Sequence, residues 1–403
     1  MGWKNLALAV ACASLMVGFA FAQGTDVPGD SDGDRIVSAE ELAAAEKLAN
    51  EGKLSADELE EIRHIHEKYP ITIIDSSDRT VTIYKPVKAI IPLSWTPHEP
   101  IFLLGGLDKI VGLRTDLQKA YSWLPGIDSK PTIGGYKEID YEKLIELKPD
   151  LVISSPGKVD TLKDKLGPVG IPYVHLFRTK DQDTFDKDLQ ILAKILESER
   201  RADEFIAWRQ NCLDLLKEKV DSIKTTDRIK VYCESADHAY YAAANLTGAN
   251  EMISLAGGNN IAGDLTGAPY FVDVEPEWVL KEDPNAIVIA VSVAGDPLEA
   301  ALGYQAEDDA TKNLEDHLSM IYNRSVLKET DAAKQGRIYL LHATYTDFGR
   351  GFIGAYYMAK WFYPELFKDL DPEGINREYF EKWLGVPYNG IWAYPQAAMP
   401  NAA

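Results

Sequence analysis

A short helix followed by proline and an apolar strand occurs twice in the chain, and this repeat constrains the fold more than any other feature. In residues 134–155, an amphipathic helix carrying Glu142 precedes Pro149 and a continuous apolar strand. Residues 273–290 repeat the pattern, with Glu275 in the place of Glu142 and three more residues between acid and strand. A continuous apolar strand directly after a helix is typical of a parallel sheet buried on both faces. The repeat therefore predicts two similar α/β lobes.

The composition excludes some functions. The chain has 403 residues and 46% hydrophobic residues, which is enough for two or three domains with ordinary cores. Its formal net charge of −21 repels phosphate backbones and anionic headgroups. We therefore expect no nucleic-acid binding.

The N-terminus has the pattern of a secretory signal peptide in residues 1–22, with a charged start, an apolar run and small residues up to Ala22. Cys12 is an alternative site of lipid attachment. We expect export across the cytoplasmic membrane to the periplasm or cell surface, with or without an anchor. Two cysteines follow, Cys212 and Cys233, which either pair or remain free thiols.

An acidic segment after the signal matches a twelve-residue calcium loop. Its predicted ligands are carboxylates, one backbone carbonyl and one hydroxyl, at Asp30, Asp32, Asp34, Ile36, Ser38 and Glu41. Arg35 replaces the glycine that is usual at the sixth position, which strains the turn. The spacing resembles the loops of EF-hand and dockerin modules and implies a structural calcium ion. The alternative is a solvated acidic turn that caps a helix.

The remaining pattern alternates strands and helices. It predicts an α/β fold with two Rossmann-like lobes that have parallel central sheets and are joined by a long linker helix, preceded by the small helical calcium-loop segment. Residues 199–224 have apolar positions at helical spacing and would span about 39 Å as the strut between the lobes. The alternative for this helix is a surface helix within one lobe. The predicted boundaries are 23–69 for the calcium-loop segment, 70–181 for the first lobe, 182–224 for the linker helices and 225–397 for the second lobe.

The chain resembles the class III substrate-binding proteins of ATP-driven (ABC) importers, the group that serves iron–siderophore, haem and cobalamin uptake. The resemblance lies in the repeat and in the segments IIDSSDRTVTIYKPVKAIIPLS, LLGGLDKIVGLRTD, IGGYKEIDYEKLIELKPDLVISS and GRIYLL, and it covers about residues 71–395. It implies a ligand held between two lobes and a membrane permease as partner. Archaeal members often carry calcium-loop segments ahead of the first lobe.

The resemblance also implies that one glutamate per lobe docks on the permease, and Glu142 and Glu275 match by position. The alternative is a carboxylate that is favourable near a helix N-terminus without any partner.

Candidate ligand-binding residues follow from the rule that ligands bind beyond the carboxyl ends of parallel strands. They are aromatic, basic and histidine side chains of the strand-end loops: Trp95, His98, Arg114, Tyr121, Trp123, Tyr136, Lys158, Tyr240, Tyr241, Tyr270, His342, Tyr345 and Arg350. Tyr304 belongs to the same aromatic group. Ring faces and opposed guanidinium groups suit a large, flat, partly anionic iron chelate, haem or corrinoid. The alternative for each ring is core packing.

Three other functions stay open. His98 and His342 could bind a bare metal ion directly, although no obvious set of Asp and Glu residues accompanies them in matching loops. An enzyme could act on a chelate in the cleft, although the sequence has no nucleophile elbow, clustered Ser/His/Asp set or zinc signature. A scaffolding protein could use the calcium segment for docking. We expect a monomeric binding protein that is not an enzyme.

Overall fold

A computed structural model of the chain describes residues 27–94, 97–156, 159–177, 182–236, 238–265, 270–291, 301–304, 310–346 and 349–395. The chain divides into two compact units, Met1–Lys68 and Tyr69–Ala403. The predicted signal peptide, with Cys12, lies outside the described residues. Among the described helices, none combines the length and apolar character needed to cross a bilayer.

The first unit contains α1 (Ala39–Asn50) and α2 (Ala56–Lys68). Ser38 caps α1: its hydroxyl accepts a hydrogen bond from the Glu41 N–H at 3.3 Å, and the Glu41 carboxylate accepts one from the Ser38 N–H at 3.0 Å. This reciprocal arrangement stabilises the helix start. Ser55 and Glu58 repeat it before α2.

The second unit begins with an antiparallel hairpin and continues into the first lobe. The strands are, in chain order, β1 (Ile71–Ile74), β2 (Thr80–Ile83), β3 (Ile90–Pro92), β4 (Leu151–Ser154) and β5 (Tyr173–His175). The helices are α3 (His98–Leu103), α4 (Thr115–Ala120), α5 (Tyr141–Glu146) and α6 (Val159–Leu166). Strands β3, β4 and β5 form a parallel sheet in that order. Every residue of β4 is buried, as expected when helices cover both faces of the sheet.

Two linker helices follow, α7 (Gln182–Leu196) and α8 (Glu199–Val220). At 22 residues, α8 is roughly 33 Å long. It is shorter than predicted because the helix ends at Asp221, its C-cap. Arg201 of α8 donates hydrogen bonds to the carbonyl of Leu103 at the end of α3 and, over 2.7 Å, to that of Trp383 near the C-terminus. The linker helix therefore binds parts of the chain that lie on both sides of it in sequence.

The second lobe is built on a larger sheet. Its strands are β6 (Lys230–Ser235), β7 (Tyr241–Ala243), β8 (Asn259–Asn260), β9 (Phe271–Asp273), β10 (Ala286–Val291), β11 (Ile338–His342) and β12 (Ala393–Tyr394). Its helices are α9 (Gly248–Leu255), α10 (Pro276–Glu282), α11 (Ala310–Tyr322), α12 (Asp331–Lys334), α13 (Gly351–Phe362) and α14 (Pro372–Glu378). Strands β6, β10 and β11 are parallel, while β7, β9 and β12 add antiparallel pairs at the edges. The central sheets are parallel as predicted, and the antiparallel edges are an addition.

The two helix–proline–strand repeats align in sequence without an insertion. Each landmark of the second repeat lies 135 positions after its counterpart in the first repeat, as from Asp140 to Glu275. The paired landmarks are the helix N-caps Asp140 and Glu275, the buried residues Leu144 and Val279, the left-handed residues Lys148 and Asp283, and the strand starts Leu151 and Ala286. The predicted three-residue insertion is therefore wrong, since it paired Asp140 with Asp273. In the corrected register, Glu142 corresponds to Glu277.

A side chain after the proline of each unit ties neighbouring strands together. The carboxylate of Asp150 accepts hydrogen bonds from the N–H groups of Lys88 and Ala89, both at 3.0 Å. Asn285, at the equivalent position, accepts one from the N–H of Lys230 at 2.9 Å. Both residues thus hold the start of the adjacent parallel strand, which gives the repeat a physical basis.

The left-handed position after α5 generates a stability prediction. Lys148 has φ +48°, a conformation that costs a residue with a Cβ about 1–2 kcal/mol and that glycine adopts freely. We expect Lys148→Gly to raise the free energy of unfolding by about 1 kcal/mol, measured by denaturant titration. Lys143→Gly, in the interior of the same helix, is the matched control and should lower it by about 1 kcal/mol. Equal losses in both variants would contradict the assigned helix end.

Candidate functional site

Two segments that follow parallel strands meet between the lobes. The first, after β3, opens α3 with His98 and Glu99. The second, after β11, leads to Arg350, the N-cap of α13. Because ligands of open α/β sheets bind beyond the carboxyl ends of the strands, the contact between these segments marks the candidate site.

An ion pair between Glu99 and Arg350 connects the two segments. The Arg350 Nη2 donates a hydrogen bond to Glu99 Oε2 at 2.8 Å, and its Nε lies 2.7 Å from Oε1. The same carboxylate accepts hydrogen bonds from the hydroxyl groups of Tyr379 and, at 3.3 Å, of Tyr121. Glu99 is 7% exposed and Arg350 2% exposed. Burial opposes the charge of Arg350, but the Glu99 carboxylate outweighs it and raises the pKa of Arg350.

Aromatic rings of the second lobe surround this arginine. The guanidinium carbon of Arg350 lies 4.9–5.9 Å from the ring centroids of Tyr345, Tyr379, Phe380 and Trp392. Rings at this distance stabilise a cation through their π faces. We call these four rings, with Arg350 and Glu99, the arginine cluster.

A stack of rings extends the arginine cluster across the two lobes. Trp123 of the first lobe stacks on Tyr304 of the second lobe, with ring centroids 4.6 Å apart and planes 16° apart. Trp123 also lies 5.4 Å from Phe380 and 5.9 Å from Tyr121. The sequence prediction that aromatic side chains of both lobes converge is therefore consistent with this geometry.

Both candidate histidines are buried. His98 stacks on Tyr121, with ring centroids 6.1 Å apart. His342 places Nδ1 2.7 Å from the Thr344 hydroxyl oxygen, and its ring lies edge-on to Trp392 with ring centroids 5.0 Å apart. Burial, aided by the charge of Arg350, lowers the pKa of His342 to about 3, so its imidazole is neutral at physiological pH.

Arg114 also has an internal partner. Its Nε donates to Asp116 Oδ1 at 3.0 Å, its Nη2 donates to Oδ2, and its Nη1 donates to the Leu93 carbonyl at 2.7 Å. Partial burial opposes ionisation of Asp116, but the hydrogen bond and charge of Arg114 prevail and lower the pKa of the carboxyl. The guanidinium carbon lies 5.1 Å from the ring of Tyr136, which is 66% exposed. Arg114 and Arg350, the two strand-end arginines, are therefore each paired with a carboxylate of the protein.

The other predicted tyrosines lie on the antiparallel part of the second sheet. The ring of Tyr241 stacks between His238 at 4.3 Å and Phe271 at 5.1 Å. Tyr240 donates its N–H to Glu234 Oε2 at 2.8 Å, and Tyr270 is 53% exposed. The guanidinium carbon of Arg324 lies 6.0 Å from the ring centroid of Tyr240, so these contacts of Tyr240 and Tyr241 are with other residues of the second lobe. Trp95 and Lys158 lie outside the described residues.

Sequence reasoning missed the residues that complete the arginine cluster. Glu99 directly follows the candidate His98, and an acidic residue in a strand-end loop was a signal that could have been used. Tyr379, Phe380 and Trp392 come from the C-terminal segment after α13, where no strand precedes them to indicate a site.

The acidic loop of the first unit brings three carboxylates together. The ligand oxygens of Asp30, Asp32 and Glu41 lie within 4.8 Å of one another, and within the described part of the chain no other group of three or more His, Cys, Asp or Glu side chains is placed to hold a metal ion. Arg35 has φ +70°, a strained conformation for a residue with a Cβ. Burial opposes ionisation of Glu41, but hydrogen bonds from Ser31 and Ser38 outweigh it and lower its pKa to about 2.

Two of the remaining predicted ligands of this loop, Asp34 and Ser38, have side-chain oxygen atoms in local hydrogen bonds. Asp34 Oδ1 accepts a hydrogen bond from the N–H of Ile36 at 2.7 Å, and Ile36 is 45% exposed. The Ser38 hydroxyl donates to Glu41 Oε2 at 3.0 Å. Six oxygen donors of this kind have the chemistry that a hard cation prefers, and the structure brings three of the carboxylates within 4.8 Å of one another.

The two predicted docking glutamates are exposed at helix starts. Glu142 lies in the first turn of α5, and Glu275 is the N-cap of α10. Glu277, the positional counterpart of Glu142, is also exposed in the first turn of α10.

The chain is similar to known solute-binding proteins. The family model described as "Periplasmic binding protein" matches residues 90–345. An uncharacterized ABC transporter substrate-binding lipoprotein, YvrC of Bacillus subtilis, is 28% identical over 276 residues, which cover 68% of this chain and 85% of the relative. A cobalamin-binding protein of Halobacterium salinarum is 24% identical over 228 residues, covering 56% of this chain and 59% of the relative.

A solved structure shows the same fold. The Haemophilus influenzae periplasmic binding protein MolA, bound to molybdate, has a TM-score of 0.65 and 21% identity, and the match covers 79% of this chain and 99% of MolA. At this identity the likeness establishes the architecture and leaves the ligand open. The chain has two α/β lobes with strand-end segments that meet between them, and the family model matches more than half of its length. This chain therefore belongs to the periplasmic binding protein family.

Proposed function

We propose that the chain is the extracytoplasmic substrate-binding protein of an ABC importer. It captures a metal chelate or corrinoid between its lobes and delivers this cargo, chemically unchanged, to a membrane permease. The family, the ABC-transporter relative and the cobalamin-binding relative support this role. The proposed cargo classes are iron–siderophore complexes, haem and corrinoids.

The observation that carries the proposal is the convergence of aromatic rings from both lobes on the strand-end contact. Tyr304 stacks on both Trp123 and Phe380, with ring centroids 4.6 and 5.9 Å apart, a spacing suited to offset stacking. Separation of the lobes would expose these faces to a flat ligand. Large aromatic surfaces with few polar groups are typical of ligand clefts.

The same geometry argues against catalysis in this cluster. Glu99 is paired with Arg350 in this cluster, and the neutral His342, which packs beside Trp392, contacts Thr344. A general base needs a pKa near the working pH, whereas the pKa of His342 is lowered to about 3 by burial and by Arg350. A bare metal ion is also disfavoured, because His98 and His342 join no group of three or more ligand side chains among the described residues.

Cargo binding is tested with three coloured probes, cyanocobalamin, haemin and ferric enterobactin. We expect one of them to bind with micromolar or tighter affinity in isothermal titration and to shift its absorption band. Trp123→Ala should weaken that probe about tenfold, because it removes a stacked face. Leu215→Ala is the matched control, since this side chain is 57% exposed on the linker helix.

An unchanged affinity in the Trp123→Ala variant would contradict the assigned site. Absence of binding by all three probes, together with no coloured compound on protein purified from its source, would contradict the cargo class.

We also propose that exposed acids at the repeat helices dock on the permease. Glu142 represents the first lobe and Glu275 the second, with Glu277 as the alternative that the corrected register introduces. Exposed carboxylates of this kind can pair with guanidinium groups of a partner. Their position near a helix N-terminus is favourable even without a partner, so the test must separate the two explanations.

Charge reversal distinguishes the docking positions. We expect Glu142→Lys combined with Glu275→Lys to reduce cargo uptake at least tenfold in proteoliposomes carrying the permease, with cargo affinity unchanged. The pair Glu142→Lys with Glu277→Lys tests the alternative register. Glu146→Lys, exposed at the other end of α5, is the control and should leave uptake intact. Normal uptake in both paired variants would end the docking proposal.

We further propose that the acidic loop binds a structural calcium ion. The proximity of the Asp30, Asp32 and Glu41 oxygens supports it, and an ion would relieve the repulsion among these carboxylates.

Calcium titration of the full chain tests this proposal. We expect calcium to bind with one-to-one stoichiometry and to raise the melting temperature, since a ligand of the folded state stabilises it. Asp30→Asn with Asp32→Asn should abolish both effects. Asp57→Asn, an acid in the first turn of α2, is the control. Glu41 is left unchanged because it also caps α1. Absence of calcium uptake by the unaltered chain would leave the loop as an acidic helix cap.

A further inference from the structure

The arginine cluster already contains an internal anion. Glu99 places both carboxylate oxygens within 2.8 Å of Arg350 nitrogen atoms, through one hydrogen bond from Nη2 and one ion-pair contact with Nε, and charge-assisted contacts of this kind are how guanidinium groups hold carboxylates and oxyanions. Arg114, the other strand-end arginine, is occupied in the same way by Asp116. The arginines that sequence reasoning assigned to an anionic cargo are therefore already neutralised by the protein itself.

We propose that Glu99 is a specificity-determining residue. Its carboxylate occupies the anion position on Arg350 and excludes small free oxyanions from the cleft. The site then selects cargo that presents uncharged, flat surfaces to the aromatic rings. This inference rests on the proposed function, in which the cleft binds a cargo.

The hydrogen bonds of Glu99 make its displacement unfavourable. The carboxylate accepts from Arg350, Tyr379 and Tyr121, and an entering oxyanion would have to replace all of these partners. An oxyanion that entered beside Glu99 would instead meet its negative charge at short range. Electrostatic repulsion is strong in a buried site of low dielectric constant, and Glu99 is 7% exposed.

A second buried carboxylate adds to this exclusion. Glu373 is 9% exposed and accepts hydrogen bonds from the hydroxyl groups of Tyr388 and, at 2.8 Å, of Tyr357. Asn376 connects this group to the arginine cluster, because its Oδ1 accepts from the Tyr345 hydroxyl at 2.5 Å and its Nδ2 donates to Tyr388 at 3.3 Å. The polar surroundings of Arg350 thus hold two carboxylates against one guanidinium group. Binding sites commonly obtain selectivity from such a repulsive element as well as from attractive contacts.

The similarity to MolA allows a specific expectation about which anions this chain excludes. That protein shares the fold and its structure holds molybdate, so the architecture admits an oxyanion. For this chain we expect the opposite selectivity, because the charge of the guanidinium group in the cluster is already balanced by Glu99.

Titration with sodium molybdate tests the role of Glu99. We expect the unaltered protein to show no molybdate binding at millimolar concentration. Glu99→Gln should gain at least tenfold in molybdate affinity, because it frees the Arg350 charge and keeps the shape of the side chain. The double variant Glu99→Gln/Arg350→Gln should lose this gain. Glu365→Gln is the control for net charge: it removes the same formal charge from an exposed position between α13 and α14, and it should gain less than threefold.

Removal of one partner leaves a buried charge unpaired, which destabilises the fold. A second variant therefore tests the proposal if Glu99→Gln does not fold. Glu99→Ala leaves space for a small carboxylate, and we expect acetate to raise its melting temperature by several degrees while leaving that of the unaltered protein unchanged.

Each outcome separates this inference from the proposed function. Micromolar molybdate binding by the unaltered protein, or no gain in folded Glu99→Gln, would overturn the role of Glu99 and leave a solute-binding function intact. No acetate response of Glu99→Ala would overturn it in the same way. Failure of the three chelate probes would count against the proposed cargo without changing the molybdate comparison.

Discussion

A buried ion pair holds the candidate site together. Glu99 and Arg350 lie almost entirely out of water, and each charge in that position is tolerated because the other is there. The pair joins a segment after β3 to a segment after β11, so it fixes the approach of two strand ends from different lobes. Aromatic rings pack around the guanidinium group and further exclude water. The ion pair, between residues 251 positions apart in sequence, thus acts together with the stack of Trp123 on Tyr304 to hold the two lobes at the candidate site.

Local order could be predicted from the sequence because it rests on short-range rules. The helix–proline–strand repeat correctly indicated two α/β lobes with parallel central strands, and the linker helix was recognised from its apolar periodicity. The register of the repeat was misassigned by two residues, since an Asp-x-Glu match was weighted above the capping frame. The structure shows that the N-caps, the buried helix residue and the left-handed residue recur together. These features reflect backbone geometry, which constrains a repeat more strongly than the identity of exposed acids.

The composition of the site could not be predicted in the same way. Aromatic and basic residues of strand-end loops were identifiable, and His98, Tyr121, Trp123, Tyr345 and Arg350 do come together. Their partners arise from contacts distant in sequence: Tyr379 and Phe380 lie in a helical turn near the C-terminus, where periodicity indicates only a helix. Sequence patterns also leave open whether an arginine is paired. From the sequence alone, Arg114 and Arg350 are candidate anion-binding groups. In the structure, they are paired with Asp116 and Glu99.

The distribution of charge separates the surface of the protein from its cleft. The chain carries a net charge of −21, and exposed glutamates stand at the start of the repeat helices. In the described cleft, by contrast, each arginine has a carboxylate and His342 is neutral. Charge on the exterior acts over distance and orients encounters with a partner of opposite sign. A neutral aromatic interior instead holds cargo by surface contact, with an affinity that depends little on salt. The acidic exterior would slow the approach of an anionic cargo. The surface charge and the paired arginines therefore both favour a cargo that presents uncharged surfaces.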